Sequence, residues 1–181
     1  VRPYSPSQQD ILKIYEEAVL NDATYRGDEI DDIISRLSSS EPTKRPSRSE
    51  ILKYKLWLDQ KYISPYTGQP IPLAKLFTHE YEIEHVIPQS RYFDDSFQNK
   101  VICEAEVNKL KDRQLAYEFI KNHHGQIVTL TGGRTVTVSS VEEYENFVRK
   151  TYAGNRGKMK NLLLEDIPVS TPSSSIASAS I

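Results

Sequence analysis

Apolar residues recur every three or four positions in several stretches of the chain, and helices are expected there. Over 5–20 the stripe is Ile11, Ile14, Tyr15, Ala18 and Val19, and over 28–37 it is Ile30, Ile33, Ile34 and Leu37. The segment 38–46 is polar with two prolines, which marks a linker and a domain boundary near 46. Ser47-Arg-Ser-Glu50 has the spacing of a capping box. It opens a helix to about Tyr62 whose Ile51, Leu52, Tyr54, Leu56, Trp57 and Leu58 cover more than one face, so burial is expected. Ser64–Pro70 is turn chemistry. Short β-rich runs follow at Glu82–Pro88 and Asn99–Cys103, with Asp94-Asp95-Ser96 in the loop between them. The apolar residues of 104–122 (Val107, Leu110, Ala116, Phe119, Ile120) predict one helix. Gln126–Leu130 and Arg134–Val138 flank Thr-Gly-Gly as a hairpin, and Ser139 or Ser140 caps a helix over 141–150. From Pro168 onward Ser, Thr, Pro and Ala dominate, the composition of a disordered tail. The fold class expected is α+β: a two-stranded antiparallel hairpin plus a helix, with further helices and a second hairpin.

Composition narrows the picture. The 181 residues suit one domain with appendages, and the hydrophobic fraction of 38% allows a modest core. No apolar run approaches the roughly 18 residues needed to span a bilayer. The chain opens Val-Arg-Pro and its single methionine is Met159, which reads as a fragment of a longer protein, expected to be monomeric. A lone cysteine, Cys103, excludes an internal disulfide and a multi-cysteine zinc site, and fits a reducing cytosol. Its apolar neighbours predict a buried thiol. Net charge is −2, so affinity for nucleic acid, which rests on Lys and Arg neutralising phosphates, should be weak unless something else delivers the domain. The five basic residues between Arg149 and Lys160 fit a nucleic-acid contact or a solvated stretch equally.

The densest chemistry lies at Glu84-His85-Val86-Ile87-Pro88, followed by Asn99 and Asn108. Histidine, with an ordinary pKa near ~6.5, can take a proton from water at neutral pH. Adjacent strand residues face opposite ways, so Glu84 and His85 could act from two sides of a bound phosphate. Glu84 and Asn108 offer oxygen ligands of the kind magnesium prefers, and two such ligands suffice when substrate phosphate and water complete the shell. Glu106 could add a further oxygen. Asn99, after a turn-rich loop, is grouped with His85 as a catalytic-site residue that fixes the loop by backbone hydrogen bonds. Lys109, Lys111 and Arg91 are candidate substrate contacts, since phosphate is commonly met by such side chains. Asp94-Asp95 reads as a loop and capping pair, and His123-His124 as a helix end suited to the dipole rather than a metal site.

The stretch Glu84-His-Val-Ile-Pro-Gln-Ser-Arg-Tyr-Phe-Asp-Asp-Ser-Phe-Gln-Asn99-Lys-Val101, with Asn108 after it, closely resembles the HNH nuclease domain of the CRISPR-associated RNA-guided DNA endonucleases of type II systems. The resemblance covers about 46–167, with a core motif over 81–122. Residues 1–45 would then connect into the domain, and Arg156–Pro168 would lead out of it. The resemblance implies a ββα-metal fold and cleavage of the DNA strand paired to a guide RNA, in antiviral defence in a prokaryotic cytoplasm. It makes His85 the general base, Glu84 and Asn108 the holders of Mg2+ (or Mn2+ in its place), Asn99 the structural asparagine and Glu106 an acidic neighbour. Zinc is not expected. The implied partners are the guide-paired target strand and the rest of a parent effector with an RNase H-like nuclease domain; no membrane is implied. Many members have Asp at the position of Glu84, so ligand reach differs here by one methylene. Two other readings fit the residues: a free-standing homing or restriction-type HNH endonuclease, and a non-catalytic module of HNH shape.

Overall fold

A computed structural model describes residues 47–167. The helices expected over 5–20 and 28–37, the linker over 38–46 and the tail from 168 fall outside the described residues. No described helix is long and apolar enough to cross a membrane.

The first described helix, α1 (Arg48–Asp59), starts where the capping box puts it. Ser47 Oγ accepts the Glu50 amide at 3.1 Å, and Glu50 Oε1 accepts the Ser47 amide at 2.8 Å. The helix buries Tyr54, Leu56 and Trp57, and the Trp57 indole donates to the Ile71 carbonyl. A short α2 (Leu73–Leu76) follows the turn region. Strands β1 (Tyr81–His85) and β2 (Lys100–Glu104) then pair antiparallel, with His85 opposite Lys100, Glu84 opposite Val101 and Glu82 opposite Cys103.

The period of two along β2 divides the core. Val101 and Cys103 face one apolar layer with Tyr66, Val107, Phe119 and Tyr144, while Ile102 faces another with Tyr54, Trp57, Leu76 and Tyr81. On β1, Glu82 and Glu84 share the face of Val101 and Cys103. The outer edge of β2 would leave the Ile102 backbone unpaired, and the fully buried Gln60 supplies its partners: Oε1 accepts the Ile102 amide and Nε2 donates to its carbonyl. The loop over 64–70 is pinned to the end of β2 through Glu104, whose two oxygens accept from Ser64 Oγ and Thr67 Oγ1 at 2.7 and 2.8 Å.

One expectation needs correction. The single helix over 104–122 is two: α3 (Ala105–Lys111) and α4 (Ala116–His123). The chain turns at Asp112, which adopts a φ of +51°, and Glu118 Oε1 accepts the Leu115 amide to start α4. No glycine or proline lies between 104 and 122, so the apolar spacing ran through a break that only tertiary contacts specify. Hairpin strands β3 (Ile127–Thr129) and β4 (Thr135–Thr137) pair as expected. At their turn a side chain on Gly132 would lie 2.9 Å from Glu80 Oε1, so the Glu80 carboxylate would have to shift to admit one. Helix α5 (Val141–Thr151) has its own capping box at Ser140 and Glu143. Helix α6 (Arg156–Leu162), not anticipated as a helix, is capped by Asn155. It buries Lys158 against Asp59 at 2.7 Å and over the Phe97 ring, so one of the five basic residues is a structural clasp rather than a surface charge. Trp57 and Cys103 are both buried, as expected.

Candidate active site

Three elements build the site: the last residues of β1, the loop over 86–99, and α3. The loop is held by Asn99, which is fully buried at the end of a 3-10 turn (Phe97–Asn99). Its Oδ1 accepts the Ile87 amide at 2.9 Å, and its Nδ2 donates to the Ile87 and Asp94 carbonyls at 3.0 and 2.8 Å. The Asn99 carbonyl also accepts the Val86 amide. One carboxamide thereby joins both ends of the loop. Asp94 caps locally, its Oδ1 accepting the Ser96 amide.

His85 and Glu84 leave β1 on opposite faces. His85 reaches solvent, and its Nε2 lies 2.8 Å from Asp95 Oδ1 and 3.2 Å from Gln89 Nε2. Asp95 also meets Lys100 Nζ at 3.1 Å. These hydrogen bonds, from His85 first and Lys100 next, hold the Asp95 carboxyl below the usual carboxylate range.

Glu84 points inward. Its Oε1 accepts from the Tyr66 hydroxyl at 2.7 Å, and its Oε2 lies 2.6 Å from Lys111 Nζ, which also donates to the His85 carbonyl. Burial, then the Glu84 charge, pushes the Tyr66 phenol up, so it stays a donor. Asn108, on α3, donates from Nδ2 to Glu82 Oε1 at 2.8 Å, which leaves its Oδ1 as the atom for a cation. Glu82 and Asn108 are therefore joined where β1 meets α3, while Glu84, on the same strand face, is buried with its two oxygens on Tyr66 and Lys111 and shares no hydrogen bond with Asn108. Carboxylate and carboxamide oxygens are the donors a hard divalent ion such as magnesium prefers, and Glu84 could offer one only by giving up Lys111. Among the described residues no group of three or more His, Cys, Asp or Glu is placed to hold a metal ion. His123 bonds Gln114 and Gln126.

The remaining expectations divide. Lys111 is expected to meet phosphate; it is instead fully buried and bound to Glu84, at the last residue of α3. Glu106 pairs with Lys109, and its separation of two residues from Asn108 puts it on another side of the helix. Lys109, with 73% of its side chain exposed, is open to a phosphate. Arg91 is partly engaged by the Arg113 carbonyl and Glu118. Sequence reasoning missed Glu82 and Asp95. Glu82 was findable, since strand period two sets it on the same face as Glu84. Asp95 was not, because only the loop's closure brings it back to His85.

Residues 64–117 match the family model described as HNH endonuclease. That segment is similar to the HNH part of Cas9 proteins. The chain is 38% identical over 73 residues to the CRISPR-associated endonuclease Cas9 of Campylobacter jejuni, covering 40% of this chain and 7% of that protein. It is 33% identical over 93 residues to the Cas9 of Staphylococcus aureus, covering 44% and 8%. The chain therefore spans less than a tenth of the curated relatives it matches. Among solved structures, Streptococcus thermophilus Cas9 in complex with the GGAA PAM superposes with a TM-score of 0.56 at 23% identity, covering 77% of this chain and 13% of that one. That likeness supports the α+β arrangement of two small hairpins among helices. The HNH match itself begins at Ser64 and ends at Tyr117, so it takes in β1, the His85 loop, β2 and α3.

Proposed function

We propose that this HNH domain hydrolyses one phosphodiester of the DNA strand paired to a guide RNA, as part of a larger effector in prokaryotic antiviral defence. The observation that carries the reading is a solvent-reaching histidine on one face of β1 and, on the other, Glu84 beside the Glu82–Asn108 pair, within a segment matching the HNH endonuclease family.

In this reading His85 takes the proton of an attacking water. The water oxygen bonds phosphorus as the bond to the departing oxygen breaks, and that oxygen leaves with a proton from solvent. Glu84 and Asn108 would hold Mg2+, with Mn2+ as a substitute, once the Glu84 carboxylate gives up Lys111, and Glu82 orients Asn108. When bound, the ion withdraws charge from the phosphate and steadies the departing oxygen. Tyr66 holds the other Glu84 oxygen, and Asn99 fixes the loop behind His85. Lys109 is placed to meet a neighbouring phosphate. The small share of each relative that the chain spans supports delivery by a larger protein, as does a net charge of −2. Guide pairing then reads sequence, and the domain needs little affinity of its own.

The test is a guide-loaded effector carrying this domain, given a duplex labelled on each strand. Asn108→Ala should leave the guide-paired strand uncut while the other strand is still cut. Cutting of the guide-paired strand at the unsubstituted rate would overturn the assignment.

A further inference from the structure

Asp95 belongs to a loop whose other carboxylate, Asp94, serves only a local turn, yet Asp95 itself reaches back to the end of β1. Three observations converge on it. His85 and Lys100 are cross-strand neighbours on one face of the hairpin, and both put a nitrogen on Asp95 Oδ1, at 2.8 and 3.1 Å. The residue before it is anchored through its carbonyl by the buried Asn99, which fixes the loop where Asp95 leaves it. Its carboxyl is held below the usual range by those same two partners, so it remains an acceptor only.

We infer that Asp95 is a positioning residue for His85: by accepting a hydrogen bond at Nε2 it fixes the ring's tautomer and angle and leaves Nδ1 to take the proton of water. This rests on the reading of His85 as the base. A carboxylate at 2.8 Å requires a proton on Nε2, and a neutral imidazole with that proton has its lone pair on Nδ1. Among the described residues no hydrogen bond falls on His85 Nδ1. As placed, Gln89 turns its amide nitrogen, a donor, toward the same Nε2 at 3.2 Å, while its Oε1 is buried without a partner; half a turn of the amide satisfies that oxygen on the Nε2 proton and removes the conflict. Lys100 completes the device by keeping Asp95 ionised and in place. In the proton transfer Asp95 gains nothing: the proton passes from water to Nδ1, and the bond to Asp95 shortens or lengthens around an unchanged N–H.

Two measurements test this. The first is imidazole nitrogen NMR on the full 181-residue chain at neutral pH, with the His85 signals assigned by their loss in His85→Ala. The unsubstituted chain should show His85 protonated at Nε2, and Asp95→Ala should show a mixture of both tautomers. The amide signals of Ile87 and Asn99 report whether the loop is kept. The second is single-turnover cleavage by the guided effector. Asp95→Ala should slow it about 10- to 100-fold without changing DNA affinity, and Asp95→Glu should regain part of the loss. An Nδ1-protonated ring in the unsubstituted chain, a tautomer unmoved by Asp95→Ala, or an unslowed cleavage rate would each overturn the inference. If His85→Ala cuts normally, the proposed function fails instead, and the nitrogen spectrum still decides the role of Asp95.

Discussion

Asn99 gives all three of its side-chain hydrogen bonds to backbone, and those bonds set where His85 and Asp95 stand. Removing them leaves the Ile87 amide buried without a partner, which costs about 1–3 kcal/mol. Asn99→Ala should therefore lower the urea-unfolding free energy by about that much. Asn99→Asp keeps the acceptor for Ile87 but sets a buried oxygen against the Ile87 and Asp94 carbonyls, so it should lose at least as much. An unchanged unfolding free energy in Asn99→Ala would contradict the geometry. Glu104 offers a second test. Burial pushes its carboxyl above the ordinary carboxylate value, against the pull of the Ser64 and Thr67 hydrogen bonds. A group bound more tightly to its proton in the folded state contributes stability fully present below its unfolded pKa and lost as pH rises through the folded one. Relative to the unsubstituted chain, Glu104→Gln should gain stability as pH is raised from 4.5 to 7.5 across repeated unfolding titrations. A constant difference would contradict the shift. At this scale the sequence showed residue types and spacing, so His85, Asn99 and Asn108 stood out. It did not show partners: that Asp95 meets His85, or that Lys111 meets Glu84, depends on a loop of more than ten residues closing and on a helix ending early.

The elements carry the same lesson. Capping boxes at Ser47 and Ser140 and the Thr-Gly-Gly turn were legible because their signals are local. The break between α3 and α4 was not, since 105–122 carries neither glycine nor proline. That break has a consequence for chemistry. It ends α3 at Lys111 and swings the lysine under β1, where it neutralises a Glu84 carboxylate that is itself buried. Breaking such a pair from one side leaves an uncompensated buried charge and costs about 3–5 kcal/mol. Lys111→Met should lose that much in chemical unfolding, and Glu84→Gln combined with Lys111→Met should recover most of it. A loss under about 1 kcal/mol for Lys111→Met alone would show that the pair is not what holds α3 against the hairpin.

For the molecule as a whole, the β1/β2 hairpin lies between two apolar layers that meet different helices, and the clasp of Lys158 on Asp59 ties the last described helix to the first. The α+β class and the HNH segment were readable because the motif is dense and its spacing rigid. The helix α6 and its inward lysine were not, because the run of basic residues around it carries no apolar period. A domain of near-neutral charge with a preformed loop and an oxygen-rich face suits a nuclease brought to its strand by a larger assembly. The central claim is that His85 activates the water. Its most direct test is single-turnover cleavage of the guide-paired strand by the guided effector carrying His85→Ala, with DNA binding measured alongside. The rate should fall by at least about 100-fold with binding unchanged. Cleavage of that strand at the unsubstituted rate would contradict the account.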